Sequence, residues 1–314
     1  MSDKYHTAAP EGLTPEMFEK LPKSEKMDSG EGRKSLTAWQ DIWMRLVSNK
    51  LAMTGFWIIV IMAVCAIAIP ILSPNDHSTN YLDNTNAAPS AAHWFGTDDL
   101  GRDMLERTWK GAQVSLFVGV VAALIDLVIG IIYGGIMGYF GGKVDEVMNR
   151  FSEILAAIPY LLVVILLLVV MEPSIMTIII AMSITGWINM AWIVRGQIMQ
   201  LKNQEYALAS KSLGAGAFRI IFRHLIPNAM GPILVTLTLT IPNAIFTEAF
   251  LSFLGLGVQS PVASWGTMID EGVSAIDLFP WRLLFPAFFL SLTIFAFNVL
   301  GDGLRDAFDP KLKK

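Results

Sequence analysis

The fold this sequence predicts is an all-α, polytopic membrane protein with six transmembrane helices, and three observations predict it. Of 314 residues, 54% are hydrophobic and only 16% charged, against about 25% charged in an ordinary soluble domain. Mean hydropathy is +0.52, more than a water-facing surface allows. Apolar runs of close to twenty residues recur, the length of helix that crosses a hydrocarbon core about 30 Å thick. The same composition excludes other classes. A net charge of −4 leaves no basic excess for nucleic acid. A single cysteine, Cys65, rules out an internal disulfide framework. The four histidines (His6, His77, His93, His224) are too scattered to suggest a metal centre.

Residues 1–50 read as a polar cytoplasmic tail with eight basic and eight acidic residues. A secretory signal would place its apolar stretch earlier, so this tail is expected to be retained and partly disordered. The first span is 51–72, closed by Ser73–Pro74, and 73–113 is an outer segment. The core, 114–304, holds five more spans. The second lies within Val114–Tyr139 and carries Asp126, and the third is about Ile154–Met171, stopped by Glu172–Pro173. The fourth is about Ser174–Val194, ended by Arg195. The fifth is about Met230–Leu251, interrupted by Pro232 and Pro242. The sixth is about Leu283–Leu300, closed by Gly301–Asp302–Gly303. Residues 305–314 form a second cytoplasmic tail. With both termini inside, 19 of the 23 lysines and arginines fall on the inner side, which is the positive-inside bias of a cell membrane protein.

The inner loop 195–228 carries most of the remaining information. Helix formers fill 205–213, Gly214 and Gly216 supply a turn, and a short helix follows from about Ala217 to Leu225 before Pro227 resets the chain. Ala207, Ala209 and Ser210 are small enough for a partner surface to come close, and Arg219 and Arg223 share a helical face beside Phe222. Composition alone also allows a basic loop resting on anionic headgroups.

The order of residues in this loop resembles the signature of ABC importer permeases: Glu-Ala-Ala, three residues, Gly, nine residues, Ile-x-Leu-Pro. Aligned on Gly214, the pattern falls on Leu208, Ala209, Ser210, Gly214, His224, Ile226 and Pro227, with Leu208 in place of the glutamate, Ser210 of the second alanine and His224 of the isoleucine. The stretches Phe95–Asp103, Leu251–Gly257 with Ser264–Gly266, and Asn298–Pro310 are similar to segments of the oligopeptide, dipeptide and nickel permeases. Together with the hydrophilic N-terminus they look most like the C-type oligopeptide permeases. The resemblance covers about residues 40–310.

It implies a type I ABC importer permease fold. The chain would work beside a homologous second permease, over two cytoplasmic ATPases that bind ATP and magnesium, with an extracytoplasmic binding protein delivering peptide. The inner loop (Glu205, Ala207, Leu208, Ala209, Ser210, Gly214, Arg219, Arg223, Pro227) would be the ATPase-coupling element. The chain itself is expected to be no enzyme and to hold no cofactor: its only Gly-Lys pair, Gly142–Lys143, is followed by Val144, so the phosphate-binding G-x-x-x-x-G-K-[ST] fails. Dipeptide or nickel cargo on the same fold, and a proton-coupled secondary transporter, stay as alternatives.

Candidate pathway residues come from the spans. Asp126 and Glu248 are intramembrane acids, each a functional site by default or else a buried structural contact. Asn243 and Thr247 face either a polar pathway or a neighbouring helix. The charged stretch Asp98, Asp99, Arg102, Asp103, Glu106, Arg107 and Lys110 reads either as a contact for a binding protein or as a solvated amphipathic helix on the membrane. Gly130, Gly134, Gly135 and Gly138 predict close helix packing. Trp94, Trp109, Trp265 and Trp281 sit where interfacial aromatics are expected.

Overall fold

The computed structural model describes residues 37–73, 79–259 and 261–309. Residues 1–36 and 310–314 of the two expected tails, Pro74, His6 and His77 lie outside the described residues. The chain divides after Met44 into two compact units. Helix α1 (Ala38–Ser48), which begins in the first and ends in the second, opens with a reciprocal cap: the Thr37 amide donates to Gln40 Oε1 at 3.0 Å and the Gln40 amide to Thr37 Oγ1 at 3.4 Å.

The second unit runs α2 (Lys50–Leu72), α3 (Met104–Phe140), α4 (Gly142–Ala156), α5 (Tyr160–Val170), α6 (Ile175–Thr185) and α7 (Trp187–Leu201). It continues with α8 (Glu205–Ser212), α9 (Ala217–Ile220), α10 (Met230–Phe253), α11 (Trp265–Val273) and α12 (Trp281–Phe308). The only β pairing among the described residues is an isolated bridge between Thr97 and Asp103. Five helical stretches are long and apolar enough to cross a membrane: α2, α3, Ile175–Leu201 (α6 with α7), α10 and α12. The pair α4–α5, bent by 77°, is a sixth if counted as one span.

Several boundaries differ from the sequence expectation, each for a local reason. The second span begins at Met104 rather than Val114, because Asp103 caps it by accepting from the Leu105 and Glu106 amides. The third is not one helix: Pro159 has no N–H and disfavours helix at Ile158, so the chain breaks between α4 and α5. The remaining α5 has eleven residues, about 17 Å, or roughly half a hydrocarbon core. Arg195 does not end the fourth span; α7 continues to Leu201 while Arg195 grips Asp145 of α4 with two hydrogen bonds, 2.5 and 2.6 Å. Neither proline interrupts the fifth, since Pro232 occupies the first turn of α10, where an N–H is dispensable, and Pro242 is accommodated inside the helix. Gly301 and Gly303 do not close the sixth. They lie within α12, where a β-carbon would strike Leu239 of α10 and Ala52 of α2 respectively.

Helix α3 is the central pillar. On it Gly130, Gly134 and Gly138 let the α7 backbone approach so closely that a β-carbon would overlap Met190, Ala191 and Arg195. The glycines therefore serve this chain's own bundle; Gly135, off that line, faces Ile221. Trp109 and Trp265 are buried rather than interfacial, packed with Met62, Ile245, Leu290 and Phe297. The Trp265 indole donates to the Thr108 carbonyl at 3.0 Å. Trp281 donates to the Thr97 carbonyl at 3.3 Å, and Trp94 is exposed.

Candidate functional site

Two features meet on α7. At one end is the 195–228 loop. Helices α8 and α9 are joined by a turn in which Gly214 has φ +80°, a conformation that a β-carbon disfavours. From α9 the chain passes through a wider π turn, Ile221–Leu225, and a last turn, Ile226–Asn228, into α10. The inner side of the loop is cemented by apolar packing: Ala207, Ile220, Ile221, Leu225 and Ile226 join Val194 and Ile198 of α7 and Ile233 of α10. Ala207 is thus buried in this packing, at the floor of an open pocket lined also by Leu208, Lys211 and Ile220. Glu205, Leu208, Ala209, Gly214, Arg219, Arg223 and Pro227 are exposed, and Ser210 is half-buried. The same surface displays Leu213 (89% exposed), Phe218 (70%) and Phe222, whose ring stacks with that of Phe218 at 4.9 Å. Lys202, at the end of α7, donates to the terminal carbonyls of α3 at Gly138 (2.8 Å) and Tyr139 (3.2 Å), capping that helix. Arg195 and Lys202 are therefore structural, and the exposed cations are Lys211, Arg219 and Arg223.

The second feature is a cavity of about 270 Å³ lined by Asp126 of α3, Tyr160 of α5, Thr185 and Gly186 between α6 and α7, Asn189 of α7, and Thr240, Asn243 and Thr247 of α10, with Met182 and Ala244. Three of the four expected pathway residues meet here. Counted from the loop-bearing end, Asp126 lies 14 residues along α3, Asn189 12 along α7 and Asn243 13 along α10, so all three stand about 18–21 Å deep at 1.5 Å per residue. Asp126 is 5% exposed. Its Oδ1 and the Tyr160 hydroxyl find no hydrogen-bond partner among the described residues. The carboxyl is pressed against the backbone of Gly186, where a β-carbon would overlap it.

Glu248, the fourth expected residue, is elsewhere. It is fully buried and accepts from Ser115 (2.8 Å) and Ser252 (2.8 Å). Ser252 in turn accepts from Ser264 at 3.4 Å, and Ser115 accepts from the Trp265 amide at 3.2 Å. This network fastens α11 to α3 and α10. Beyond it, the charged stretch expected to face solvent or a partner is mostly buried. Asp98, Arg102, Asp103, Glu106 and Arg107 are all buried, leaving Asp99 exposed and Lys110 half-buried. Asp98 accepts from Arg102 Nε (2.7 Å) and from Arg107, which also grips Glu271 (2.9 and 3.2 Å). Burial alone would raise the Asp98 carboxyl, but Arg107 and Arg102 outweigh it and hold it below its ordinary 3.8. Arg282 completes the cluster on Asp99 and Asn86, both at 3.1 Å.

Sequence reasoning missed Tyr160, Asn189 and Thr240 in the cavity. A signal for Thr240 was present: with Asn243 and Thr247 it forms a polar stripe at i, i+3, i+7 on a mostly apolar helix. Tyr160 and Asn189 lie on other elements, and only the fold brings them to this stripe.

Comparison with known proteins follows the same division. Residues 127–314 match the family described as binding-protein-dependent transport system inner membrane component, and residues 37–89 match the N-terminal TM domain of oligopeptide transport permease C. The oligopeptide transport system permease protein OppC of Bacillus subtilis (strain 168) is 61% identical over 90% of this chain and 92% of its own length. The dipeptide transport system permease protein DppC of the same strain is 58% identical over 93% and 91%. The Escherichia coli (strain K12) OppC is 43% identical over 92% and 95%. Among solved structures, a chain of the MetNI methionine ABC transporter in an inward-facing conformation superposes with a TM-score of 0.51 at 14% identity, over 66% of this chain and 98% of that one, a likeness of fold.

Proposed function

The chain belongs to the binding-protein-dependent transport system inner membrane component family, and from that premise we propose that it is the permease through which an ATP-driven importer carries oligopeptides across a bacterial cytoplasmic membrane. That it is a multi-pass permease of the ABC importer class follows from the family and the apolar helices. The peptide cargo is suggested by the relatives, which are oligopeptide and dipeptide permeases by name.

In this reading both termini are cytoplasmic, a homologous second permease completes the pathway, and two ATPases hold ATP and magnesium beneath it. A binding protein delivers peptide on the other side. The loop 201–228 docks in a cleft of one ATPase through its exposed apolar residues, Leu208, Leu213, Phe218 and Phe222, with Arg219 and Arg223 at their margin. Exposed apolar patches of this kind mark interaction surfaces.

One observation carries the proposal: the single helix α7 lines the polar cavity at Asn189 and runs without a break into the loop at Leu201. Motion imposed on the loop therefore reaches the cavity through a rigid element. The test is to purify the tagged chain in mild detergent with whatever accompanies it, reconstitute it, and measure ATP-dependent peptide uptake. Recovery of a second permease and ATPases with peptide uptake is expected. Recovery of the chain alone, moving solute on a proton gradient, overturns the proposal, and uptake of nickel in place of peptide overturns the cargo.

A further inference from the structure

The unmatched polar atoms around Asp126 are the least explained feature of the molecule. A buried donor or acceptor left without a partner costs about 1–3 kcal/mol, and more when charged. Membrane-buried acids normally find a basic or hydroxyl partner. Here the Asp126 carboxyl is 5% exposed, its Oδ1 receives nothing, and the Tyr160 hydroxyl beside it is equally bare. Among the described residues, no lysine, arginine or histidine lines the cavity. The remaining polar groups are two carboxamides, Asn189 and Asn243, and three threonines, and of these Thr247 and Thr240 already donate their hydroxyls to the α10 backbone at 2.8 and 2.9 Å. The cavity, about 270 Å³ and open rather than enclosed, has room for one end of a chain molecule. Gly186 keeps the space over the carboxyl free of side-chain atoms.

We infer that this cavity is a subsite for a protonated amine, the N-terminal ammonium of a passing peptide, which donates to the Asp126 carboxylate while Tyr160, Asn189 and Asn243 engage the first peptide unit. The inference rests on the proposed role as a peptide permease and adds the chemical group that the pathway recognises. An ammonium supplies the donors and the opposite charge that the carboxylate lacks, and it leaves again because a single partner holds it.

The test uses the purified complex of this chain with its partner permease and ATPases, in the absence of the binding protein. Trialanine at millimolar concentration is expected to raise the thermal unfolding midpoint by about 2 °C, and N-acetyl-trialanine to leave it in place. Asp126→Asn should respond to neither, while Asp126→Glu regains the response to trialanine. In proteoliposomes supplied with the binding protein, Asp126→Asn should move roughly tenfold fewer peptides per ATP hydrolysed, with Asp126→Glu closer to the original. Equal shifts by both peptides, or a response to trialanine that survives in Asp126→Asn, overturns the inference. So does an Asp126→Asn chain that no longer co-purifies with its partners, which assigns the carboxylate to assembly. A complex that imports no peptide removes the proposed function itself. One that imports peptide without any of these differences removes only the ammonium subsite.

Discussion

Toward the ends of α3 and α10 away from the loop, Glu248 is fully buried and accepts from Ser115 and Ser252, and Asp98 is fully buried between Arg102 and Arg107. Deeper along α3, Asp126 is nearly as buried and accepts from none of the described residues. Both regions place carboxyl groups out of water, but only the first matches each with donors. The satisfied groups join segments far apart in sequence: Arg107 to Glu271, Ser115 to Trp265. The unsatisfied one joins nothing. Polar groups of the first kind stabilise the fold, while one of the second kind lowers stability until something binds.

Substitutions should separate the two regions by size of effect. The largest is expected at Asp98→Ala, which takes the carboxylate from the buried Arg102 and leaves Arg107 with Glu271 alone; it should cost about 3 kcal/mol or more, read as a lowered unfolding midpoint in detergent. The same residue gives an acid signature. Because its folded-state pKa is held below the ordinary 3.8, its stabilisation is complete above about pH 4 and lost as pH falls through the lower folded value. A midpoint that began to fall near pH 6 in a manner dependent on Asp98 would contradict that assignment. Glu248→Ala comes next, at about 2 kcal/mol, since Ser115 and Ser252 lose their acceptor; a neutral result would mean that the serine network does not hold α11. Ala209→Asp should change stability by no more than about 0.5 kcal/mol because the site is exposed, yet, on the proposed coupling role of the loop, abolish peptide uptake. Normal uptake in that variant would remove the loop from the coupling role. Smallest of all in stability, Asp126→Asn should be neutral or slightly stabilising, and a loss comparable to that of Glu248→Ala would erase the contrast between the regions.

How far these features can be read from the sequence depends on how local their causes are. The helical membrane class, the Gly214 turn and the four-residue glycine spacing on α3 each depend on neighbouring residues, and each was legible. Hydropathy cannot see a bend, so Ile154–Met171 looked like one span although Pro159 breaks it. The charges at 98–107 read as a solvated helix or a contact for a binding protein because two of the partners they meet, Glu271 and Arg282, lie more than 160 residues away. Asp126 and Glu248 are alike in sequence, both acids in apolar helices. What separates them is Ser252, one turn from Glu248 on the same helix, together with Ser115, which tertiary packing brings from α3. Within the cavity, the α10 stripe was readable from its period, whereas Tyr160 and Asn189 arrive from other helices.

The glycine ladder between α3 and α7 has a mechanical consequence. Gly130, Gly134 and Gly138 remove side chains from α3 alone, and Met190, Val194 and Ile198 of α7 seat in the spaces they leave, so the two helices are keyed together and move as one. From Asn189 to Leu201 the α7 rod is about 18 Å long at 1.5 Å per residue. Pivoting it by about 10° about the cavity would swing its far end by about 3 Å, close to the width of one atom. On the proposed coupling role the same geometry would act as a lever arm, turning a modest stroke at the loop into a small change in the shape of the chamber around Asp126.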